Sequence, residues 1–342
     1  VLFRSPMPSS EFLIKKYNQL LAPSCERPVA DRLALLRTVV LQYGIPDEVA
    51  MQSEQKVAVC SLRGRLWKAF LGVGHMDPER YLKLVAKGPS AQFDKIGQDT
   101  FRTFANNRVF TSAVPEEKLI RLLNAYVHAS GKPDTYVQGM NVLAAPLLFV
   151  LPEVDAFHCF EAMGERSFPT YLRPNCEGAL AGTRLVDQIL KRIDVDLYRH
   201  LSKHSVSSTV WAFPWLLSCM AARPPLHEVL HIWDFFMACG FHYNTLACVA
   251  AILRHRKALM ESSCPANVLS KLPDMDGRGI VRDMVELAGM LDHHVINAMH
   301  QHVRDDETVQ QHLPRRLGLS MRVRERVEEM VTPPMGRAET EN

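Results

Sequence analysis

The 342-residue sequence has no hydrophobic run long enough to span a bilayer. Its longest, VLAAPLLFVL from Val142 to Leu151, falls well short of the roughly 20 residues required and carries Pro146 inside it. No transmembrane segment is therefore expected. A strong charge of either sign is also missing. The formal net charge of +3 is too weak to argue for a nucleic-acid partner or an anionic membrane surface, since such footprints need a clustered excess, and charge says little about the partner. None of the eight cysteines forms a Cys-x-x-Cys pair and no secretory leader precedes them, so reduced thiols in a cytoplasmic chain are expected. Period-two alternation and fixed-period repeats are both scarce, which disfavours sheets and solenoids.

Helical periodicity is what remains. Asp31 to Tyr43 places Leu33, Leu36, Val40 and Leu41 at helical spacing, with Asp31 as the N-cap and Gly44 as the stop. Further helices are read at Gln55 to Leu71, Pro115 to Val127, Leu180 to Ile193 and Val210 to Met220. Three more follow at Leu226 to Ala238, Thr245 to Met260 and Arg278 to Asn297. The fold class is all-α. Residues 1–29 form an N-terminal segment with a short helix, in which VLFRSP is extraneous and Met7 is the expected native start. Residues 30–302 form one domain of two helical lobes meeting near 170, where FPTYLRPNCE reads as a border. Residues 303–342 form a charged tail, partly disordered.

The stretch HEVLH, His227 to His231, has the spacing of a zinc protease. On its helix, between Pro224-Pro225 and Gly240, the strip left by the apolar residues carries His227, His231, Asp234 and Ala238. A zinc site also needs a third ligand and a second shell. The metzincin extension would place glycine at 234 and histidine at 237, where Asp234 and Met237 stand. The stretch reads as a partly solvated polar strip. His293, His294, His300 and His302 lack cysteine partners and give no ligand pattern either.

Two other stretches carry more. In IGQDTFRTF, Ile96 to Phe104, Asp99 and Arg102 are three apart on one polar edge and can pair. In TYVQGMN, Gln138 and Asn141 stand at the mouth of the apolar run, where amides cost free energy unless satisfied or kept for a task. An arginine held by a carboxylate and a nearby amide could reach a common anion. These stretches resemble the TBC domain of GTPase-activating proteins for Rab-type GTPases. Arg63 and Trp67 match Arg-x-x-x-Trp. Ile96, Asp99, Arg102 and Thr103 match Ile-x-x-Asp-x-x-Arg-Thr, and Tyr136, Gln138, Gly139 and Met140 match Tyr-x-Gln-Gly-Met. Ile232, Trp233 and Asp234 match a later signature, and HEVLH merely precedes it. The resemblance spans about residues 30 to 300 and within the family points to the fungal checkpoint proteins of mitotic exit and septation. Ala105, where many members have proline, and the 16 residues between Pro46 and Arg63 depart from the pattern.

The resemblance implies a role for each matched residue. Arg102 is the arginine finger and Gln138 the glutamine finger, both supplied in trans to a small Ras/Rab-type GTPase. Asp99 orients Arg102, Tyr136 and Gly139 shape the loop behind Gln138, and Arg63, Trp67, Trp233 and Asp234 pack and brace. The chain needs no cofactor and runs no reaction in a pocket of its own, because GTP and Mg²⁺ belong to the partner. Its only Gly-Lys, Gly131-Lys132, is followed by Pro133 and is not a phosphate loop. A second regulatory or scaffold protein and a place at the spindle pole body are also implied. The alternative is a catalytically weak scaffold that docks a GTPase and a partner.

Overall fold

The structure, a computed structural model, describes residues 8–47, 60–132, 134–173 and 175–312. Among the described residues the regular elements are helices. The chain start before Pro8, the expected helical stretch between Gln55 and Val59, and the tail beyond His312 lie outside the described residues.

In the N-terminal lobe the helices Glu116–Ser130, Met140–Val150 and Glu153–Ala162 pack on one another. Met140–Val150 is apolar on all sides and buried from Met140 to Leu148, as a helix at a lobe's centre must be. The C-terminal lobe is organised around Glu177–Ile193 and Leu226–Cys239. The helices Asn244–Leu253, Gly277–Ala288 and His293–His302 pack against this pair. The helices Val29–Tyr43 and Leu62–Leu71 belong to the N-terminal half yet pack on Leu226–Cys239, so that helix joins the lobes.

Several boundaries differ from the periodicity reading. Asp31 lies in the first turn of Val29–Tyr43, with Pro28 at the cap. The helix carrying Arg63 begins at Leu62, where the Ser61 hydroxyl accepts from the Gly64 N–H at 3.0 Å. The expected helix at Val210–Met220 is two short ones, Ser208–Trp211 and Phe213–Leu217, followed by Cys219 and Met220 in left-handed backbone. Thr245–Met260 breaks at Arg254 and His255, where the Arg254 side chain is drawn to Asp276 at 2.6 Å and Asp283 at 2.7 Å. Arg278–Asn297 divides at Gly289. Packed chain also continues past His302: the helix Asp306–His312 lies against Glu177–Ile193 with Val309 fully buried.

In HEVLH, His227 is exposed, and Glu228 Oε2 accepts from the Gly277 N–H at 2.7 Å. A Cβ at Gly277 would stand 2.0 Å from the Glu228 carbonyl oxygen, so only glycine lets these helices approach so closely. His231 and Asp234 are buried, not partly solvated as the strip reading expects, because Leu62–Leu71 covers that strip. The His231 Nε2 lone pair takes the Arg278 Nε–H at 3.1 Å. Burial, with Arg278 beside it, lowers its pKa to about 4 and keeps the ring neutral.

His302 is fully buried in the same state. Its Nδ1–H donates to the Met299 carbonyl at 2.6 Å and its Nε2 accepts from the Tyr171 hydroxyl at 3.0 Å. Burial lowers its pKa to about 4. A depressed folded pKa contributes stability that is whole above the unfolded value near 6.5 and is lost as pH falls towards 4. Urea unfolding at pH 7 and pH 5 should therefore show wild type losing about 2 kcal/mol more than His302→Gln over that interval. Parallel losses in the two proteins would contradict it.

Candidate functional site

The site is built on two turns. The first follows the helix Phe93–Thr100, whose inner face buries Ile96, Asp99 and Thr100. The chain then turns through Phe101 to Asn106 and sets Arg102 at the surface. Arg102 Nη2 donates to Asp99 Oδ1 at 2.5 Å, with the side chains 30% and 6% exposed respectively. Asp99 is thus a buried group, not one on a solvated polar edge. Its second oxygen accepts from the Tyr136 hydroxyl at 2.9 Å. Burial and the Asp99 carboxylate push the Tyr136 phenol well above its usual pKa, which keeps it a donor.

The second turn is Tyr136 to Gly139. Gln92 clamps its start, accepting from the Tyr136 N–H at 2.7 Å and donating to the Tyr136 carbonyl at 3.3 Å. Gly139 closes it at φ +100°, a left-handed value that a side chain would strain, and opens the helix Met140–Val150. Asn141 ties the two turns together. Its Oδ1 accepts from the Gly139 N–H at 3.2 Å, while Nδ2 donates to the Asp99 carbonyl at 3.1 Å and to Thr103 Oγ1 at 2.8 Å. Arg102 and Gln138 therefore sit on segments fixed to each other through Asp99, Tyr136 and Asn141.

Two donors in this assembly have no partner among the described residues. Arg102 Nε and Gln138 Nε2 are both buried and unpaired. Such groups cost roughly 1–3 kcal/mol each, and here two of them fall on adjoining turns, which leaves this site under-satisfied among the described residues. Arg102 lines a cleft of about 670 Å³ whose other walls include Asn107, Val109, Leu226 and Asp274. Planar guanidinium and amide donors, held rigid and under-satisfied, suit an oxyanion and a polarised water.

Arg63, Trp67, Trp233 and Asp234 come together elsewhere. Asp234 is buried on Leu226–Cys239 and accepts from Arg63 Nε at 3.1 and 3.2 Å and from Trp67 Nε1 at 2.8 Å. Trp67 and Trp233 pack with ring centroids 5.8 Å apart, and Trp233 Nε1 donates to the Cys219 carbonyl at 2.9 Å. Burial pushes the Asp234 carboxyl up to about 6 against the pull of Arg63 and the Trp67 indole. With Arg63 and Trp67 as its partners it bridges the lobes. Arg63 also pairs with Asp47 at 2.9 Å, and Asp47 reaches Arg278 at 3.0 Å. Sequence reasoning missed Gln92, Asp47 and the bridging role of Asn141. Only Asn141 left a signal, as an amide at the mouth of an apolar helix.

A family model described as the Rab-GTPase-TBC domain matches residues 60–260. The chain is similar to the putative mitotic check point protein BUB2 of Dictyostelium discoideum, 35% identical over 86% of this chain and 82% of that protein. It is also similar to cell division control protein 16 of Schizosaccharomyces pombe, 32% identical over 84% of this chain and 94% of that one. The Ypt/Rab-GAP domain of Gyp1p superposes with a TM-score of 0.66 at 20% identity, covering 82% of this chain and 98% of that one. At that identity the likeness is one of fold. Among the described residues no helix is long and apolar enough to cross a membrane.

Because removing one partner strands a buried charge, Arg63→Ala should cost about 3–5 kcal/mol in urea unfolding. Adding Asp234→Asn should recover part of that loss, since the stranded carboxylate is gone. Simple additivity of the two substitutions would contradict the bridge.

Proposed function

The chain belongs to the Rab-GTPase-TBC domain family, and from that premise we propose that it is a GTPase-activating protein acting on a small Ras/Rab-type GTPase. Arg102 and Gln138 are the groups it supplies in trans. The observation that carries this reading is the pair of buried, unpaired donors, Arg102 Nε and Gln138 Nε2, on two turns fastened to one carboxylate.

Small GTPases hydrolyse GTP slowly because charge developing on the γ-phosphoryl oxygens is poorly compensated and the attacking water is loosely held. A guanidinium fixed by Asp99 meets the first need without reorganising when charge appears. The Gln138 carboxamide, donor and acceptor at once, meets the second by holding water in line. Tyr136, Gly139 and Asn141 keep the Gln138 turn in register with Arg102. Arg63, Trp67, Trp233 and Asp234 act at a distance by bracing the lobes. GTP and Mg²⁺ are brought by the GTPase, and this chain contributes the guanidinium and the carboxamide.

The names of the relatives extend the proposal to cell-division checkpoint control. In that setting a second regulatory or scaffold protein docks beside the GTPase, and the chain works in the cytoplasm at the spindle pole body.

Single-turnover GTP hydrolysis by a panel of small GTPases, with and without candidate partner proteins, tests this. The wild-type chain should accelerate one of them. Arg102→Ala should lose a factor of about 10³ or more of that acceleration. Binding to the GTP form with no acceleration under any condition would overturn catalysis and leave a docking scaffold.

A further inference from the structure

Phe101 immediately precedes Arg102 and is 77% exposed. Val109, across the same turn, is 69% exposed and lines the Arg102 cleft. Neither exposure comes from a loose segment. Phe101 follows directly on Phe93–Thr100, whose Ile96 and Thr100 are in the core. Val109 sits in the short helix Arg108–Ala113, capped by Asn107 Oδ1 accepting from the Phe110 N–H at 3.0 Å. Phe110 turns inward onto Phe104 and Phe149, with centroids 5.1 and 6.3 Å away. Its neighbour Val109 is thereby held outward. Two large apolar side chains are thus held out to solvent by the turn and the short helix next to Arg102, whose buried Nε has no partner among the described residues and whose side chain lines the cleft.

We infer that Phe101 and Val109 are the apolar anchor on which the GTP-bound GTPase seats the protein surface covering its γ-phosphate. This rests on the activator reading above and adds a division of labour: the anchor sets how tightly the GTPase is held, while Arg102 and Gln138 set how fast the held complex reacts. Continuity favours this occupant. A surface whose phosphate reaches Arg102 must lie over the neighbouring residue, and aromatic side chains, phenylalanine among them, are enriched in the cores of protein interfaces. Charge agrees with it. The cleft lining carries Arg102 and Arg108 together with Asp274, a mixed-charge surface that fits a phosphate bordered by basic side chains better than a uniformly acidic or basic partner.

The test titrates the full chain against the responsive GTPase in single-turnover hydrolysis and reads half-saturation and plateau separately. Phe101→Ala and Val109→Asp should each raise the half-saturating concentration about ten- to hundred-fold and move the plateau far less. Phe101→Leu should restore most of the affinity. Arg102→Ala should do the reverse, lowering the plateau with little change in half-saturation. Unchanged half-saturation in Phe101→Ala and Val109→Asp, with Arg102→Ala still defective, overturns the anchor and leaves the activator reading standing. If wild type accelerates no GTPase, that reading falls instead, and direct binding of the GTP form to Phe101→Ala decides the anchor alone: weakened binding supports it and equal binding overturns it. Circular dichroism checks that each variant is folded, as the exposure of both positions predicts.

Discussion

The carboxylate of Asp99 is the point on which the candidate site turns. It is buried, and a buried carboxylate persists only when its oxygens are paired and hydrogen-bonded. One oxygen takes Arg102 and the other takes Tyr136, and the backbone carbonyl of the same residue takes Asn141. These bonds fix the turn carrying Arg102 against the turn carrying Gln138. If Asp99 were removed, Arg102 would become a flexible surface arginine and the entropy of positioning it would fall on the binding event.

The second buried carboxylate, Asp234, is satisfied by the same chemistry to a different end. Each takes one arginine and one aromatic donor: Asp99 has Arg102 and the Tyr136 hydroxyl, Asp234 has Arg63 and the Trp67 indole. What separates them is the exposure of the guanidinium. Arg63 is only 11% exposed and donates from Nε to Asp234 and from Nη2 to Asp47, so it acts as a brace. Arg102 keeps an unpaired Nε beside a cleft and has capacity left for another molecule. One pairing scheme thus yields a structural bridge where the arginine is enclosed and an under-satisfied guanidinium at a cleft where it is not.

What the sequence revealed follows from the range of the interactions. Spacing of three made the Asp99–Arg102 pair visible, and helical periodicity put Trp67 and Trp233 in the core. The Tyr136–Asp99 bond joins residues 37 apart and the Arg63–Asp234 bond residues 171 apart. No local pattern encodes either bond, and both residue sets came to notice through resemblance to a family. The face of Leu226–Cys239 bearing His231 and Asp234 looked solvated for the same reason: the helix that covers it lies far away in sequence. Gln92 has no pattern at all, since an amide that clamps a backbone looks like any surface glutamine. Helix breaks at Arg254 and Cys219 were hidden because ion pairs and left-handed backbone, not Gly or Pro alone, set them.

As the proposed fingers, Arg102 and Gln138 would serve a transition state and not a resting complex. The direct measurement is affinity for the responsive GTPase in its GDP–aluminium fluoride form compared with its GTP form, in wild type, Arg102→Ala and Gln138→Ala. The account predicts much tighter binding of the transition-state mimic by wild type and loss of that preference in both variants. Equal affinity for the two forms in wild type, or a preference that survives both substitutions, would contradict it.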